Sequence, residues 1–520
     1  MMKQLGLLLI CLLMGCAVQP TASNTTQSGL AASGDTLIPS TTVALQSKAA
    51  TIPITSTSAD AIVQFEKGRE LFENLRQGEA LEHLRKAILL DTNFAQAHAY
   101  AGFLMTGAEA LAELDKAEAL SGTVPKAERL NILSMVADRR GDDRRVAELT
   151  TQLVELLPGD WRAHWYKGMR GRLARSAIHG QALPDAAGLD EVIASLKRAV
   201  ELNPMAGAVH NQLGYLSLLR GRKDEAIAAF ENYIRVAPNE PNAYDSLGDA
   251  LLAANRLEDA EAQFKKALEV SPRFWQSWGG IAATRALRGD WKGAYDALNS
   301  STQSAVRPPD KLETKRQLGW TQFTEGHVRT ALDTAMAAER EAKALHHPGS
   351  FISSGLDGAE FLFESGSAED ALKQLDDVMS RTENETVPGE TLGIARRRSL
   401  VIRATIGDGI GRQDEVARSL ALLETEADKL PDSLTTQSQV AYVRGLVALS
   451  RGDSKQAVSH FGRCIAQHVY CKWRQIQAFE KSGEKLDAEA AKRKIVETPT
   501  RETEYLYVRA MLGTIPTAKR

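Results

Sequence analysis

The residues whose types and spacing best suit chemistry lie together near the carboxyl end. His460, Cys464, His468 and Cys471 follow one another at spacings of 4, 4 and 3, which would align all four on one stripe of an unbroken helix. Zinc accepts such a set of imidazole and thiolate ligands. If the chain is exported to an oxidising compartment, Cys464 and Cys471 can instead pair as a disulfide. We predict the disulfide and no metal, with the zinc site as the alternative.

The sequence offers no motif for other chemistry. It contains no HExxH, GxSxG or CxxC pattern, whose spacings bring metal ligands or nucleophiles together. We therefore predict no enzyme and no cofactor. A formal net charge of −3 provides no basic field for nucleic acid. The densest basic cluster, Arg396 to Arg398, is predicted to lie on a solvated helix face.

The elements that would position any site follow from a repeat of 34 residues. Four kinds of residue recur at this step in adjacent stretches: Gly214 and Gly248, Ala226 and Ala260, Phe230 and Phe264, and Pro238 and Pro272. A fixed period of this length indicates stacked helical hairpins, each too small to bury its apolar face alone. Such stacks form extended binding surfaces more often than active sites.

One unit, from Asn242 to Pro272, shows what each repeat encodes. Apolar residues recur at three- and four-residue steps on both sides of a polar break at Asn255, which predicts two helices. Pro272 ends the hairpin because it has no amide hydrogen to donate. Gly248 and Ala260 are small where two helices must approach closely.

The order of residues in this unit resembles the tetratricopeptide repeat: an aromatic residue, Leu-Gly, Ala, Phe, Ala and Pro. The resemblance is specific over 207–274 and looser over the rest of 60–490. It implies an all-α fold, a right-handed superhelical solenoid of tetratricopeptide-type helical hairpins. In this register the helix that carries Cys464 ends near Gln467, which separates the four candidate zinc ligands.

The amino terminus indicates export and lipid attachment. Residues 1–16 combine a lone lysine, a short apolar run and Leu13-Met14-Gly15-Cys16, which has the shape of a secretory signal. The last four residues resemble the bacterial lipobox, so acyl chains such as palmitate are expected on Cys16. Ala17 favours the outer membrane by resemblance to enterobacterial sorting rules. An ordinary cleaved signal is the alternative.

The predicted organisation of the chain has five parts. They are a lipoprotein signal peptide (1–15), a lipidated Cys16 with a disordered Ser/Thr/Ala-rich tether (16–58), an N-terminal solenoid (59–300), degenerate repeats (301–495), and a helix with a tail that caps the open end of the stack (496–520). The tether is predicted to be flexible because it has too few apolar residues to order itself.

The resemblance also implies a binding face. In the family, first-helix residues line a concave groove that holds the partner, and the matching positions here are Asn211, Tyr215, Asn242, Asp245, Asp249, Gln276, Arg316 and Trp320. Asp245 and Asp249 are four residues apart, so both carboxylates face the groove and favour a basic or amide-rich peptide. The alternative is that these residues are ordinary polar side chains on solvated helix surfaces and bind no partner.

We therefore expect a non-catalytic, lipid-anchored scaffold that faces the periplasm from the outer membrane of a Gram-negative bacterium. It would bind protein partners and assist assembly of an envelope complex such as a pilus or secretion system. The alternative is a SusD-like glycan-capturing lipoprotein, which would need aromatic platforms. An aromatic content of 6% argues against that class.

Overall fold

The computed structural model describes residues 51–74, 76–105, 107–169, 186–384, 389–430, 433–465 and 468–517. The predicted signal peptide, Cys16 and most of the predicted tether lie outside these residues. Within them every regular element is helical, with 25 α-helices and one short 3₁₀ turn. No described helix has the length and hydropathy needed to cross a membrane.

Most of the described helices follow one another with short connections. Their bounds are α1 Ala59–Glu73, α2 Gln77–Leu90, α3 Ala95–Leu104, α4 Gly107–Leu120, α5 Lys126–Arg140, α6 Asp143–Leu156, α7 Trp161–Met169, α8 Ala186–Leu202, α9 Gly207–Leu219, α10 Lys223–Val236, α11 Pro241–Ala253, α12 Leu257–Val270, α13 Gln276–Leu287, α14 Trp291–Ser304, α15 Pro308–Glu325, α16 Val328–Ala344, α17 Pro348–Glu364, α18 Ala368–Asn384, α19 Gly389–Gly409, α20 Gln413–Lys429, α21 Leu434–Ser450, α22 Ser454–Gly462, α23 Val469–Ser482, α24 Lys485–Val496 and α25 Thr503–Met511.

Helices pack in adjacent pairs, which confirms the predicted all-α fold of tetratricopeptide-type hairpins. Phe264 is fully buried, and a Cβ on Gly248 or Gly280 would lie 2.5 or 2.6 Å from its ring. One phenylalanine thus fills the space between its own hairpin and the next. Ala260 is fully buried, as its place in the repeat predicts.

The turn inside each hairpin also follows the repeat. Gly221, Asn255 and Gly289 stand 34 residues apart, and their φ angles are +71°, +61° and +78°. This left-handed conformation closes the end of a helix, and glycine and asparagine tolerate it best. The predicted polar break at Asn255 is therefore the turn of the hairpin.

The described residues form two compact units. The N-terminal unit contains residues 51–169 and 191–209, and the C-terminal unit contains residues 186–190 and 210–517. The division thus lies near residue 210, whereas the clarity of the repeats suggests a division at 300. Within each unit the first helices of hairpins pack side by side, as α3 does on α5 and α17 does on α19. We call the face that the first helices share the concave face.

Two terminal segments differ from the sequence-based prediction. The carboxyl-terminal helix α25 does not cap an open end, because it packs against α13, α15 and α23, which are all first helices of the C-terminal unit. Residues 51–58 do not belong to a disordered tether, because they lie in an extended conformation against the N-terminal unit. The chain therefore places one of its own segments against each unit.

Candidate functional site

The eight predicted groove residues lie on first helices, but none of them is exposed. Tyr215, Asn242 and Asp249 are half-buried, and five are buried: Asn211, Asp245, Gln276, Arg316 and Trp320. The expectation that they are exposed is therefore wrong. Part of the physical reason is the segment from Arg501 to Met511, which contacts the two aspartates, Gln276 and Trp320.

Arg501 accounts for the burial of the two aspartates. Its Nη2 atom lies 2.8 Å from Asp245 Oδ2 and 2.7 Å from Asp249 Oδ2, and its Nη1 lies 3.3 Å from the Gln276 carbonyl oxygen. The guanidinium also sits 5.5 Å from the centre of the Phe264 ring. The acidic groove thus binds a basic group, as the sequence predicted, but that group belongs to the same chain.

The two carboxylates share one cation, and this affects Asp249. Burial raises the pKa of Asp249 to about 7, and the neighbouring Asp245 charge acts in the same direction although Arg501 opposes both. Tyr215 donates a hydrogen bond to Asp249 Oδ2 at 3.1 Å. Ser277 donates to Asp245 at 2.7 Å. Asp249 therefore binds a proton near neutral pH.

A second buried ion cluster lies farther along the C-terminal unit. Arg316 Nη1 donates to Asp357 Oδ2 at 3.0 Å, and Arg398 pairs with both Asp357 and Glu360. Arg397 is buried as well. The arginine run of α19 is thus not the solvated face that the sequence suggested, because two of its three members point into the protein.

The covering helix α25 is part of the hydrophobic core. Tyr505, Leu506, Tyr507 and Val508 are 5% exposed or less, and burial of each such side chain contributes roughly 1.5–3 kcal/mol. Tyr507 stacks on Phe323 with ring centres 5.2 Å apart. Removing α25 would uncover all of this apolar surface. We conclude that α25 is a permanent part of the C-terminal unit.

The N-terminal unit holds its segment differently. Residues 51–57, which we call the docked segment, run along the amino ends of α3, α5 and α7. Four side chains contact them and form what we call the N-terminal groove: Asp91, Gln96, Glu128 and Asp160. Most of these contacts reach the main chain of the docked segment.

The contacts of the docked segment follow its sequence in order. Asp160 accepts from the Ile52 amide at 2.8 Å, and Gln96 donates to the Pro53 carbonyl oxygen. Glu128 accepts from both the amide and the hydroxyl of Thr55, at 3.3 and 2.7 Å. Asp91 accepts from the Ser56 hydroxyl and from the Thr57 amide and hydroxyl. The groove therefore binds main-chain groups of an extended segment and a run of side-chain hydroxyl groups.

These contacts also change the groove carboxylates. Burial opposes ionisation of Asp91, yet hydrogen bonds from Ser56 and Thr57 bring its pKa below the ordinary value. Burial raises the pKa of Glu128, and the hydrogen bonds from Thr55 only partly offset it. Hydrogen bonds from the docked segment thus favour the charged form of Asp91, whereas burial disfavours the charged form of Glu128.

The docked segment has fewer apolar contacts than α25. It is held by seven hydrogen bonds, and Ile52 is its one fully buried side chain. Helix α25 instead places four large side chains in the core of its unit. Segments with few buried apolar contacts open locally at the lowest free-energy cost. We therefore expect the docked segment to leave its groove more readily than α25 leaves the C-terminal unit.

An aromatic cleft lies on the concave face of the C-terminal unit. It has a volume of about 80 Å³, and its aromatic walls are Trp320, Phe323, Phe363, Tyr442, Tyr470, Trp473 and Tyr507. A cavity of about 150 Å³ holds one benzene ring. The enclosed part of the cleft therefore has room for only part of one side chain.

The cysteine and histidine cluster does not form a zinc-binding stripe. Helix α22 ends at Gly462 and α23 begins at Val469, so the four residues do not share one helix. Cys464 and Cys471 are joined in a disulfide, with Cα atoms 6.3 Å apart. Burial lowers the pKa of His468 to about 4, and its ring Nδ1 accepts from the Cys471 amide at 3.3 Å. His468 thus acts as a neutral cap for α23.

Comparison with known families agrees with the hairpin geometry. A family model for the tetratricopeptide repeat matches residues 179–241 and 246–305. Over these two stretches the chain consists of tetratricopeptide repeats. No curated protein sequence matches it.

Several solved tetratricopeptide-type structures are similar to parts of this repeat protein. Yeast Tom70 is 16% identical, with 84% of this chain and 96% of that chain covered and a TM-score of 0.41. A thermophilic repeat protein of Thermus thermophilus, TTC0263, is 20% identical over 42% and 94% of the two chains, with a TM-score of 0.28. PilW, described as a type IV pilus biogenesis factor, is 19% identical over 44% and 90%, with a TM-score of 0.30.

The repeat pattern does not reveal the residues that hold the docked segment and the segment around Arg501. Arg501 lies outside the repeats, and no periodicity points from it to Asp249. Glu128 and Asp160 stand in loosely matching repeats, where the family register gives no groove position. A signal was present in the docked segment itself, because Ile52, Pro53 and Ile54 are unusually apolar for a disordered tether.

Proposed function

We propose that the protein is a non-catalytic scaffold that binds protein partners along the first helices of its repeats. It is attached to the outer membrane by lipid on Cys16, faces the periplasm and assists assembly of an envelope complex such as a pilus or secretion system. The observation that carries the binding part of this proposal is the N-terminal groove. A site that binds an extended backbone through Asp91, Gln96, Glu128 and Asp160 has the chemistry of peptide recognition.

The proposed site of partner binding differs from the site that the sequence predicts. The predicted groove positions of the C-terminal unit are buried or half-buried, in part by Arg501 and α25, and removing α25 would expose buried tyrosines. The N-terminal groove is occupied by the docked segment, which has fewer apolar contacts. We therefore propose that partners bind in the N-terminal groove and that Asp245 and Asp249 stabilise the folded C-terminal unit.

The anchoring part of the proposal is supported by sequence alone. Leu13-Met14-Gly15-Cys16 resembles a lipobox, and the following residues up to 50 are rich in Ser, Thr and Ala. A single acyl chain holds only marginally, so several chains on Cys16 are needed for stable attachment. The glycan-capturing alternative would need aromatic platforms, and an aromatic content of 6% argues against it.

Crosslinking tests the binding part. A photo-crosslinkable residue at Thr51, which is exposed within the docked segment, should give discrete adducts with periplasmic proteins in intact cells. The same residue at Lys86, exposed on the second helix α2, is the matched control and should give none. Equal adducts at both positions, or none at Thr51, would remove the N-terminal groove as the partner site.

Fractionation tests the anchoring part. Cys16→Ala should leave an unprocessed or soluble protein, because the attachment point is gone. If the Cys16→Ala protein still sediments with outer membrane after a high-salt wash, the lipoprotein assignment is wrong. The two tests are independent, since a soluble scaffold could still bind partners.

A further inference from the structure

The docked segment has a second copy in the sequence. Residues 52–57 read Ile-Pro-Ile-Thr-Ser-Thr, and residues 38–43 read Ile-Pro-Ser-Thr-Thr-Val. Both therefore fit the pattern Ile-Pro-x-Thr-(Ser/Thr), at a spacing of 14 residues. We call residues 52–57 the first motif and residues 38–43 the second motif.

We infer that the N-terminal groove is a recognition site for extended Ile-Pro-x-Thr-(Ser/Thr) segments, and that the second motif of the same chain is its alternative occupant. The inference deepens the proposed function, on which it rests, by giving the site a ligand class and a way to change the length of the tether. It follows from the contacts of the first motif.

Six of the seven hydrogen bonds of the docked segment can be formed by the second motif. Ile38, Thr41 and Val43 supply the three amides that Asp160, Glu128 and Asp91 bind in the first motif, and Pro39 supplies the carbonyl oxygen for Gln96. Thr41 and Thr42 supply hydroxyls in the places of Thr55 and Ser56. Only the Thr57 hydroxyl has no counterpart, because Val43 stands there.

The buried side chain is also reproduced. Ile52 is 4% exposed, and Ile38 places the same side chain at the same step before proline. Pro53 needs no acceptor because it has no amide hydrogen, and Pro39 repeats this. The position that differs, Ile54 against Ser40, is half-buried in the docked segment. The groove therefore distinguishes the two motifs weakly.

The charges of the groove define what it excludes. Its acceptors Asp91, Glu128 and Asp160 are all acidic, so an aspartate or glutamate in the hydroxyl positions would be repelled and left without a donor. Neither motif contains a charged residue. The ligand class is therefore an uncharged, hydroxyl-bearing extended peptide.

Exchange between the motifs changes the tether. There are 35 residues between Cys16 and Ile52 but only 21 between Cys16 and Ile38. At about 3.3–3.6 Å per extended residue, docking of the second motif shortens the reach from the lipidated cysteine by roughly 50 Å. The intervening residues 44–57 then form a loop, whose closure cost grows only slowly with length. The first motif is favoured in the intact chain because it needs no such loop.

Peptide binding tests the ligand class. A full chain with Ile38→Asp and Ile52→Asp should bind labelled peptides of residues 36–44 and 50–58 with dissociation constants within about tenfold of each other. The unmodified chain should bind both at least tenfold more weakly, because its own segment competes. A 36–44 peptide with Ile38→Asp is the matched negative control.

Groove variants complete this test. Glu128→Lys in the double-aspartate chain should abolish binding of both peptides, whereas Glu148→Lys on α6, where the side chain is 43% exposed, should not. If the double-aspartate chain keeps its far-ultraviolet circular dichroism and binds neither peptide, the inference is overturned. Binding of the 50–58 peptide alone would overturn the role of the second motif.

Hydrogen exchange tests the exchange within the chain. In the Ile52→Asp chain the amides of residues 38–43 should become protected, and adding Ile38→Asp should abolish that protection. Equal exchange in both variants would contradict the alternative register, and a doubled mass of the Ile52→Asp chain in light scattering would assign the second motif to a neighbouring copy instead. Thr51 crosslinks that persist after such a failure would leave the proposed function standing.

Discussion

Arg501 Nη2 lies 2.7 Å from Asp249 Oδ2, although the two residues are 252 positions apart in the sequence. The same nitrogen lies 2.8 Å from Asp245 Oδ2. One guanidinium thus occupies the acidic part of the concave face that a basic partner would need. The pair explains why these two aspartates are shielded from solvent.

The first prediction concerns the pH dependence of this cluster. Because the folded-state pKa of Asp249 is raised to about 7 from 3.8, the folded protein binds more protons than the unfolded chain between these values. Its stability therefore falls as pH rises through this window, at up to roughly 1.4 kcal/mol per pH unit. Asp249→Asn should lose less stability than the wild type between pH 5 and pH 7, as measured by chemical denaturation.

A matched control for this experiment is Asp259→Asn on α12, whose side chain is 53% exposed. It should show the wild-type difference between the two pH values. If Asp249→Asn also shows the wild-type difference, the carboxylate is ionised throughout and the account of the shared cation fails.

The second prediction concerns packing within the repeat. Ala260 is fully buried among neighbouring side chains, so Ala260→Leu should overpack α12 and cost about 1–3 kcal/mol. Ala262→Leu on the same helix is exposed and should stay within about 0.5 kcal/mol. Thermal unfolding followed by circular dichroism measures both, and equal midpoints for the two variants would show that Ala260 is not a packing contact.

The third prediction concerns Cys464 and Cys471. The exported protein should contain this disulfide, so alkylation without reductant should add no label to either cysteine in an intact-mass measurement. The loop is short, so reduction should cost about 2–3 kcal/mol by the chain-entropy model. Two labels together with stoichiometric zinc would instead support the four-ligand alternative.

The repeat architecture was predictable because its determinants are local. Gly248, Ala260 and Phe264 lie within one hairpin, and their spacing alone predicts the contact that the structure shows. The contents of the grooves were not predictable in this way. Arg501 reaches Asp249, and Thr55 reaches Glu128 across 73 residues, through contacts that no periodic pattern encodes.

In the candidate site, too, some properties were predictable from the sequence and others were not. The acidic character of the C-terminal groove was predictable from Asp245 and Asp249, and the structure supplies the basic group that such a groove prefers. Its accessibility was not predictable, because Arg501 and α25 lie outside the repeats. The repeat pattern of the family predicts the helices of each repeat. It does not predict which other segments of the chain pack on them.

The measurement that tests the central claim most directly is hydrogen exchange on the unmodified full chain. The docked segment and α25 cover the two units, and only the docked segment is assigned as exchangeable. The amides of Ile52, Thr55 and Thr57 should therefore exchange through a local opening, at least a hundredfold faster than the amides of Tyr507 and Val508. Similar protection of the two segments, with both exchanging only on global unfolding, would contradict the assignment of the N-terminal groove as the binding site.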